Sequence, residues 1–139
     1  MEDLRYNNHC QSFDFTIFEE VSKSFQELLI WQKSHALVIE IYLISKNFPK
    51  DELYGLTNQL RRAAVSIPSN IAEGYGRYSI AEKVRFFNIA QGSLNEVKYY
   101  LILAKDLNYA DTEMALEKAE EISKILDAYI KKMKEKIIW

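Results

Sequence analysis

Leu53, Leu56, Leu60, Ala64, Ile67 and Ile71 recur at steps of three or four residues. Only a helix brings that spacing onto one face, so this stretch reads as an amphipathic helix with a core stripe. Pro68 stands inside it, in register. Its ring clashes with the carbonyl of Ala64 and it has no N–H to donate, at a cost of about 3 kcal/mol. The expectation is a helix that stays continuous but bends. A second face carries Arg62, Ser66, Ser69 or Asn70, and Glu73, again three or four apart. Gly74-Tyr75-Gly76 follows, and either glycine suits a left-handed helix end.

The rest of the chain is punctuated as sparsely. Four glycines and two prolines in 139 residues leave few breaks, which favours long helices over many short strands. Ser24 and Glu27 make a capping-box pattern that opens a first helix. In it Leu28, Trp31, His35, Val38 and Tyr42 form one stripe, and Leu37, Ile41 and Ile44 another. A helix this apolar is expected to be buried on more than one side. Phe48-Pro49 ends it, because the residue before a proline disfavours helical geometry. Asp51 then caps the second helix.

Ser79 with Glu82 opens a third helix, and Ile80, Val84, Phe87, Ala90, Leu94, Val97, Leu101 and Ala104 are its core stripe. A second apolar line there, Phe86, Ile89, Tyr100, Leu103 and Leu107, again suggests two covered sides, with Asn108 as the stop. Asp111 caps the fourth helix, whose Ala115, Ala119, Ile122, Leu126, Tyr129 and Met133 make a heptad seam. The expected helices are 24–47, 52–73, 80–107 and 112–137. Joins this short force neighbours to run antiparallel, so the fold class is all-α, an up-down-up-down four-helix bundle over residues 24–139. Residues 1–23 read as a tail or arm: Phe13-Asp14-Phe15-Thr16-Ile17 alternates like a strand, whereas Phe18, Val21 and Phe25 have helical spacing.

Composition narrows the function. The net charge is −2, against a protein that coats nucleic acid by charge alone. The charge is uneven: residues 1–24 hold five acids against Arg5 and Lys23. Cys10 is the only cysteine, so no internal disulfide framework exists. The start has no secretory pattern, and the most apolar run, Ala36–Ile44, falls far short of the roughly 20 residues of a spanning helix. A soluble, cytoplasmic protein is expected.

The search for catalytic chemistry comes back empty. A bundle can hold two irons through Glu-x-x-His pairs, but Tyr6 and Gln32 stand three before the two histidines. His9-Cys10 are adjacent in the tail, and His35 lies on an apolar stripe, where a core or interface histidine is the ordinary reading. Neighbouring Glu120 and Glu121 read as a solvated face. No enzyme, cofactor, metal or small-molecule substrate is expected.

Two features remain. Arg62, Ser66, Asn70 and Glu73, opposite Ala90, Gly92, Ser93 and Glu96 of the third helix, suggest a polar network between helices, for example Arg62 with Glu96. Arg61, Arg62, Arg77, Lys83 and Arg85, interleaved with Tyr75 and Tyr78, suggest a basic corner able to hold phosphates and stack bases. A lysine cluster, Lys131, Lys132, Lys134 and Lys136, sits where the dipole of the last helix favours cations.

The run Leu60-Arg61-Arg62-Ala63-Ala64-Val65-Ser66-Ile67-Pro68-Ser69-Asn70-Ile71-Ala72-Glu73-Gly74-Tyr75-Gly76-Arg77 resembles the signature of proteins related to the 23S rRNA intervening sequence protein. Trp31-Gln32-Lys33, Phe48-Pro49, Glu52-Leu53-Tyr54-Gly55-Leu56 and the segment from Phe86 to Glu96 support it. The resemblance covers about residues 25–110, and the last helix follows by pattern. It implies a four-helix bundle assembled as a homopentameric ring, without enzymatic activity. It also implies RNA or a nucleoprotein as partner, or, as in retroelement accessory proteins that dock a reverse transcriptase, a protein-interaction scaffold.

Overall fold

A computed structural model describes residues 23–136 of the chain. Four long helices carry the fold: α1 (Leu29–Ser45), α2 (Leu56–Tyr75), α3 (Ile80–Asp106) and α4 (Glu113–Glu135). Short 3₁₀ turns at Phe25–Glu27 and Lys50–Glu52 precede α1 and α2, and no strand occurs among the described residues. The readings of the tail and of His9-Cys10 lie outside the described residues.

Cross-helix pairs give the directions. Lys33 pairs with Glu121 and Lys118 with Glu40, so α1 and α4 run oppositely. Gln91 bonds Ser123 while Lys98 bonds Glu120, so α3 and α4 do too. Ser93 bonds Ser66 while Lys83 reaches Tyr75, which orients α2 against α3. Each helix packs on its sequence neighbours and α4 closes on α1, with α2–α3 the most extensive contact. This is the antiparallel four-helix bundle expected.

The core is continuous. Leu37, Ile41, Leu60, Ile67, Ile71, Phe87, Leu94, Leu101, Ile122 and Leu126 are fully buried. Each large apolar side chain taken out of water contributes about 1.5–3 kcal/mol. The stripes of α3 and α4 are the expected ones, with Ile80 and Tyr129 partly buried at their edges.

Four local expectations are corrected. Ser24 does accept a hydrogen bond, from Gln26 N at 3.0 Å, and Glu27 reaches back to Lys23 N at 2.9 Å. These caps close only one 3₁₀ turn, because buried Leu28 takes an extended backbone and α1 starts after it. The second helix also starts late. Asp51 falls in the Lys50–Glu52 turn, and Leu53, first of the predicted stripe, is half exposed.

Gly74 and Gly76 do not take the left-handed conformation; no glycine has a positive φ among the described residues. Gly74 is required for close packing instead. A Cβ there would lie 2.8 Å from a ring carbon of buried Phe87 and 3.2 Å from Cβ of Phe86. The left-handed residue is Asn108, with φ 57°. Around it Tyr109 N bonds Ala104 O and Asn108 N bonds Lys105 O, both at 2.9 Å, the paired bonds of a Schellman end. Finally, Gly92 does not face α2: it is exposed, with nothing within 4 Å of an added Cβ.

Pro68 is buried within an unbroken α2. Beside it Ser69 Oγ donates to Val65 O at 2.8 Å and Asn70 Nδ2 to Ser66 O at 2.7 Å, each one turn back on the same helix. Side-chain bonds of this kind to the preceding turn favour bending of a helix.

The expected second line of α1, Leu37, Ile41 and Ile44, is turned into the bundle, and Phe86, Tyr100 and Leu103 of the second line of α3 are partly buried, but other apolar side chains on the outer faces of both helices remain open to solvent in the single chain. Ile39 and Leu43 on α1 are 51% and 58% exposed, and Ile89, Tyr99 and Ile102 on α3 are exposed as well. His35 lies on this outer side of α1, stacked on Trp31 with ring centres 5.0 Å apart. Glu120 and Glu121 are not merely solvated: they pair with Lys98 and Lys33 across the seams of α4.

Candidate functional site

The residues singled out from the sequence fall into three places along α2. The first is its N-terminal half. Arg61 reaches across to α1, where Nε donates to Ser45 Oγ at 2.8 Å and Nη2 to the Tyr42 carbonyl at 3.5 Å. Its guanidinium lies 4.8 Å from the Tyr42 ring centre. This arginine fastens α2 to the end of α1. Arg62, one residue on, is exposed, and no described group bonds it. Tyr42, Arg61, Arg62, Val65, Ser66 and Ser69 line most of an open groove of about 510 Å³.

The second place is the polar contact with α3. Ser93 Oγ donates to Ser66 Oγ at 2.8 Å, and Asn70 Nδ2 donates to the same oxygen at 2.9 Å. Small side chains let the two helices close there, and the short hydroxyls satisfy each other. The expected network is therefore Ser66, Asn70 and Ser93 only. Arg62 makes no bond to Glu96, because it sits on the exposed side of α2. Glu96 instead accepts from Tyr100 Oη at 3.4 Å, within its own helix. Partial burial, and then the Glu96 charge, raise the Tyr100 phenol above its ordinary range. Glu73 turns to Arg77, 3.0 Å away.

The third place is the corner between α2 and α3. Lys83 is buried and points inward: Nζ donates to the carbonyls of Tyr75, at 2.8 Å, and Gly74, at 3.4 Å. It neutralises the negative end of α2 and closes its last turn. Arg77 and Arg85 face outward. Each lies over the Phe86 ring, 4.6 Å from its centre, and each pairs with a carboxylate nearby in sequence, Arg77 with Glu73 and Arg85 with Glu82. Ser79 Oγ accepts from Glu82 N at 3.1 Å, which holds the start of α3 in place beneath them. Tyr78 is fully exposed on the connecting turn, and Tyr75 is half-buried.

The seven basic and aromatic residues thus do not form one patch. Arg62 and Arg77 are 15 positions apart on α2 and its C-terminal end, roughly 22 Å along the axis. Sequence reasoning missed Phe86 as the ring shared by two arginines, although its place beside Arg85 was a signal. It also missed Tyr42 and Ser45 as partners of Arg61, which no local pattern marks. Among the described residues, no group of three or more His, Cys, Asp or Glu side chains is placed to hold a metal. No helix there is long and apolar enough to cross a membrane.

Among the described residues, fold and surface define a small antiparallel helical bundle whose distinctive groups are arginines and aromatics on the outside. The family model for the 23S rRNA-intervening sequence protein matches residues 26–128, and the chain belongs to that family. Among solved structures, a protein of unknown function from the S23 ribosomal protein family of Bacteroides thetaiotaomicron is similar. It shares 27% identity at a TM-score of 0.69, over 74% of this chain and 96% of that one. No curated protein matches the chain.

Proposed function

We propose that the protein is a non-enzymatic, cytoplasmic helical bundle that self-associates and binds RNA, alone or within a nucleoprotein, through the α2–α3 corner. The observation that carries this reading is the corner's geometry. Arg77 and Arg85 share the Phe86 ring, with Tyr78 fully exposed beside them. Their pairs with Glu73 and Glu82 are exposed and join near neighbours on the surface. Such pairs contribute about 0–1 kcal/mol, so a phosphate can replace the carboxylate at little cost. A base then finds Tyr78 to stack on. The family's description points the same way.

Titration with single-stranded RNA across a salt series tests the reading. Affinity should fall steeply with salt, and Arg77→Ala and Arg85→Ala should each weaken it and lower the salt slope by about one. Flat salt dependence, or no RNA binding at low salt, would overturn it.

Self-association rests on the open apolar sides of α1 and α3, centred on Ile39, Leu43, Ile89, Tyr99 and Ile102. A five-fold ring is the assembly the family resemblance implies. Light scattering that returned the mass of one chain, 16.3 kDa, would reject it. The same apolar sides favour a second reading, a scaffold that docks a protein partner. It gains ground if a partner is retained after nuclease treatment and lost in Ile89→Lys.

A further inference from the structure

Two exposed surfaces of the bundle are complementary to each other. The first is the groove between α1 and α2. Exposed Tyr42 and Val65 line it together with Asn58, Arg61, Arg62 and Ser69. No carboxylate is among its lining residues, and no described group bonds Arg62. Ile39 and Leu43, both exposed, stand within one turn of Tyr42 on α1 and widen the apolar surface.

The second surface is a ridge on the outer side of α3. Ile89, Gly92, Glu96 and Tyr99 follow one another at steps of three or four, and all are exposed, so they share one helix face. Glu96 is the acid on this line. Among the described residues no cation pairs with it, and it accepts only from Tyr100 Oη, at 3.4 Å on its own helix. Gly92 is an independent sign. A glycine in mid-helix weakens the helix relative to alanine. Nothing within the chain calls for one here, since no atom lies within 4 Å of an added Cβ. A bare backbone of this kind suits the close approach of a second element from outside.

Groove and ridge match in both character and charge. Each carries apolar side chains around one charge that the bundle leaves without a counter-ion, positive in the groove and negative on the ridge. A helix presenting anchors one and two turns apart is the shape that such a groove receives. The ridge cannot fill the groove of its own chain, because the opposite side of α3 is locked in the core through Phe87, Leu94 and Leu101.

We infer that the α3 ridge of a second copy of this chain lies in the α1–α2 groove, with Glu96 of that copy on Arg62 and its Gly92 at the closest approach. This rests on the self-association proposed above and adds which surfaces meet; it does not depend on RNA binding. Groove and ridge are different patches, so the contact is heterologous and passes from copy to copy, head to tail. The apolar side chains supply the strength. The ion pair sets register, since an exposed pair contributes little whereas like charges facing each other repel.

Charge exchange on the full-length chain tests the inference. Sedimentation over a concentration series compares the unaltered protein with Arg62→Glu, Glu96→Arg and the variant carrying both changes. Each single change sets like charges face to face and should weaken association by about tenfold or more. The double change restores opposite charges and should return association close to its starting value. Gly92→Ala fills open space in the single chain, so it should not lower the denaturation midpoint, yet it should weaken association. Neither Arg62 nor Glu96 bonds another helix, so unchanged circular dichroism in the charge variants shows that the fold is intact. Association unaffected by either single change overturns the inference while self-association through other faces stands. A double variant no stronger than the singles, or Gly92→Ala associating as before, overturns it in the same way. A single-chain mass for the unaltered protein overturns both this contact and the self-association beneath it.

Discussion

The two ends of α2 carry the same kinds of residue and use them differently. At each end a guanidinium lies over an aromatic ring: Arg61 over Tyr42 at one, Arg77 and Arg85 over Phe86 at the other. At the N-terminal end the charge is committed to tertiary structure, because the acceptors of Arg61, Ser45 Oγ and the Tyr42 carbonyl, belong to another helix. At the corner the exposed arginines pair with Glu73 and Glu82, three or four residues away, and the bundle would stand without them. Lys83 is the corner's exception, since its ammonium is held by backbone carbonyls. What separates a structural cation from an available one is the identity of its acceptor, which residue type does not reveal.

Substitutions can break that contrast, and the largest effect is expected where the corner is tightest. Gly74→Ala drives a methyl into Phe87, whose ring is enclosed on all sides. Overpacking of this kind costs about 1–3 kcal/mol, and the higher helix propensity of alanine returns up to about 1. A net loss of about 1–2 kcal/mol should appear as a lower urea midpoint with an unchanged slope. No loss would mean that α2 and α3 slide apart easily, contrary to their close approach.

Lys83→Met comes next. Methionine keeps much of the buried stem but leaves the Tyr75 and Gly74 carbonyls without their charged donor. Hydrogen bonds to charged groups contribute about 1.5–3 kcal/mol, and the methionine's apolar burial offsets part of that. A loss of about 1 kcal/mol is expected by chemical denaturation, together with faster amide exchange in the last turn of α2. If stability is unchanged and any RNA binding falls instead, Lys83 belongs with the cations of the proposed RNA site.

Periodicity made the bundle legible. The stripes of α3 and α4 and the core of α2 from Leu56 onward follow from spacing alone, since burial in a bundle depends on helix face. Helix starts were harder. Ser24-x-x-Glu27 and Asp51 are sound capping chemistry, yet each closes a single 3₁₀ turn, because Leu28 and the Leu53–Gly55 segment must redirect the chain before the long helix can pack. The candidate site was legible only in part. Arg77, Tyr78 and Arg85 stand exposed at the corner, whereas Arg61 and Lys83 are withdrawn by acceptors that come into range only after helices pair. The i,i+3 and i,i+4 neighbours were visible in sequence, and they account for Glu73 with Arg77 and Glu82 with Arg85. Of the three residues expected in the network but not found there, Glu73 and Glu96 turn to neighbours in sequence, and Arg62 follows from the orientation of α2, which turns Ala63 and Ala64 inward and leaves Arg62 on the far side.

Adjacent Arg61 and Arg62 give the smallest effects and the cleanest comparison. Arg61→Ala removes the bond to Ser45 and the stacking on Tyr42, and about 1 kcal/mol of stability should go with them. Arg62→Ala removes a side chain that bonds nothing in the bundle, so its effect on stability should stay within about 0.5 kcal/mol. The two residues share charge, size and sequence neighbourhood, so the difference isolates the α1–α2 tie from the general effect of deleting a cation. Parallel thermal melts at two salt concentrations check it. The Arg61 loss should persist at high salt, because a partly buried, short-range hydrogen bond is screened little. Equal losses at both positions would mean that overall charge, not the Ser45 contact, sets the cost, and the structural role assigned to Arg61 would fall.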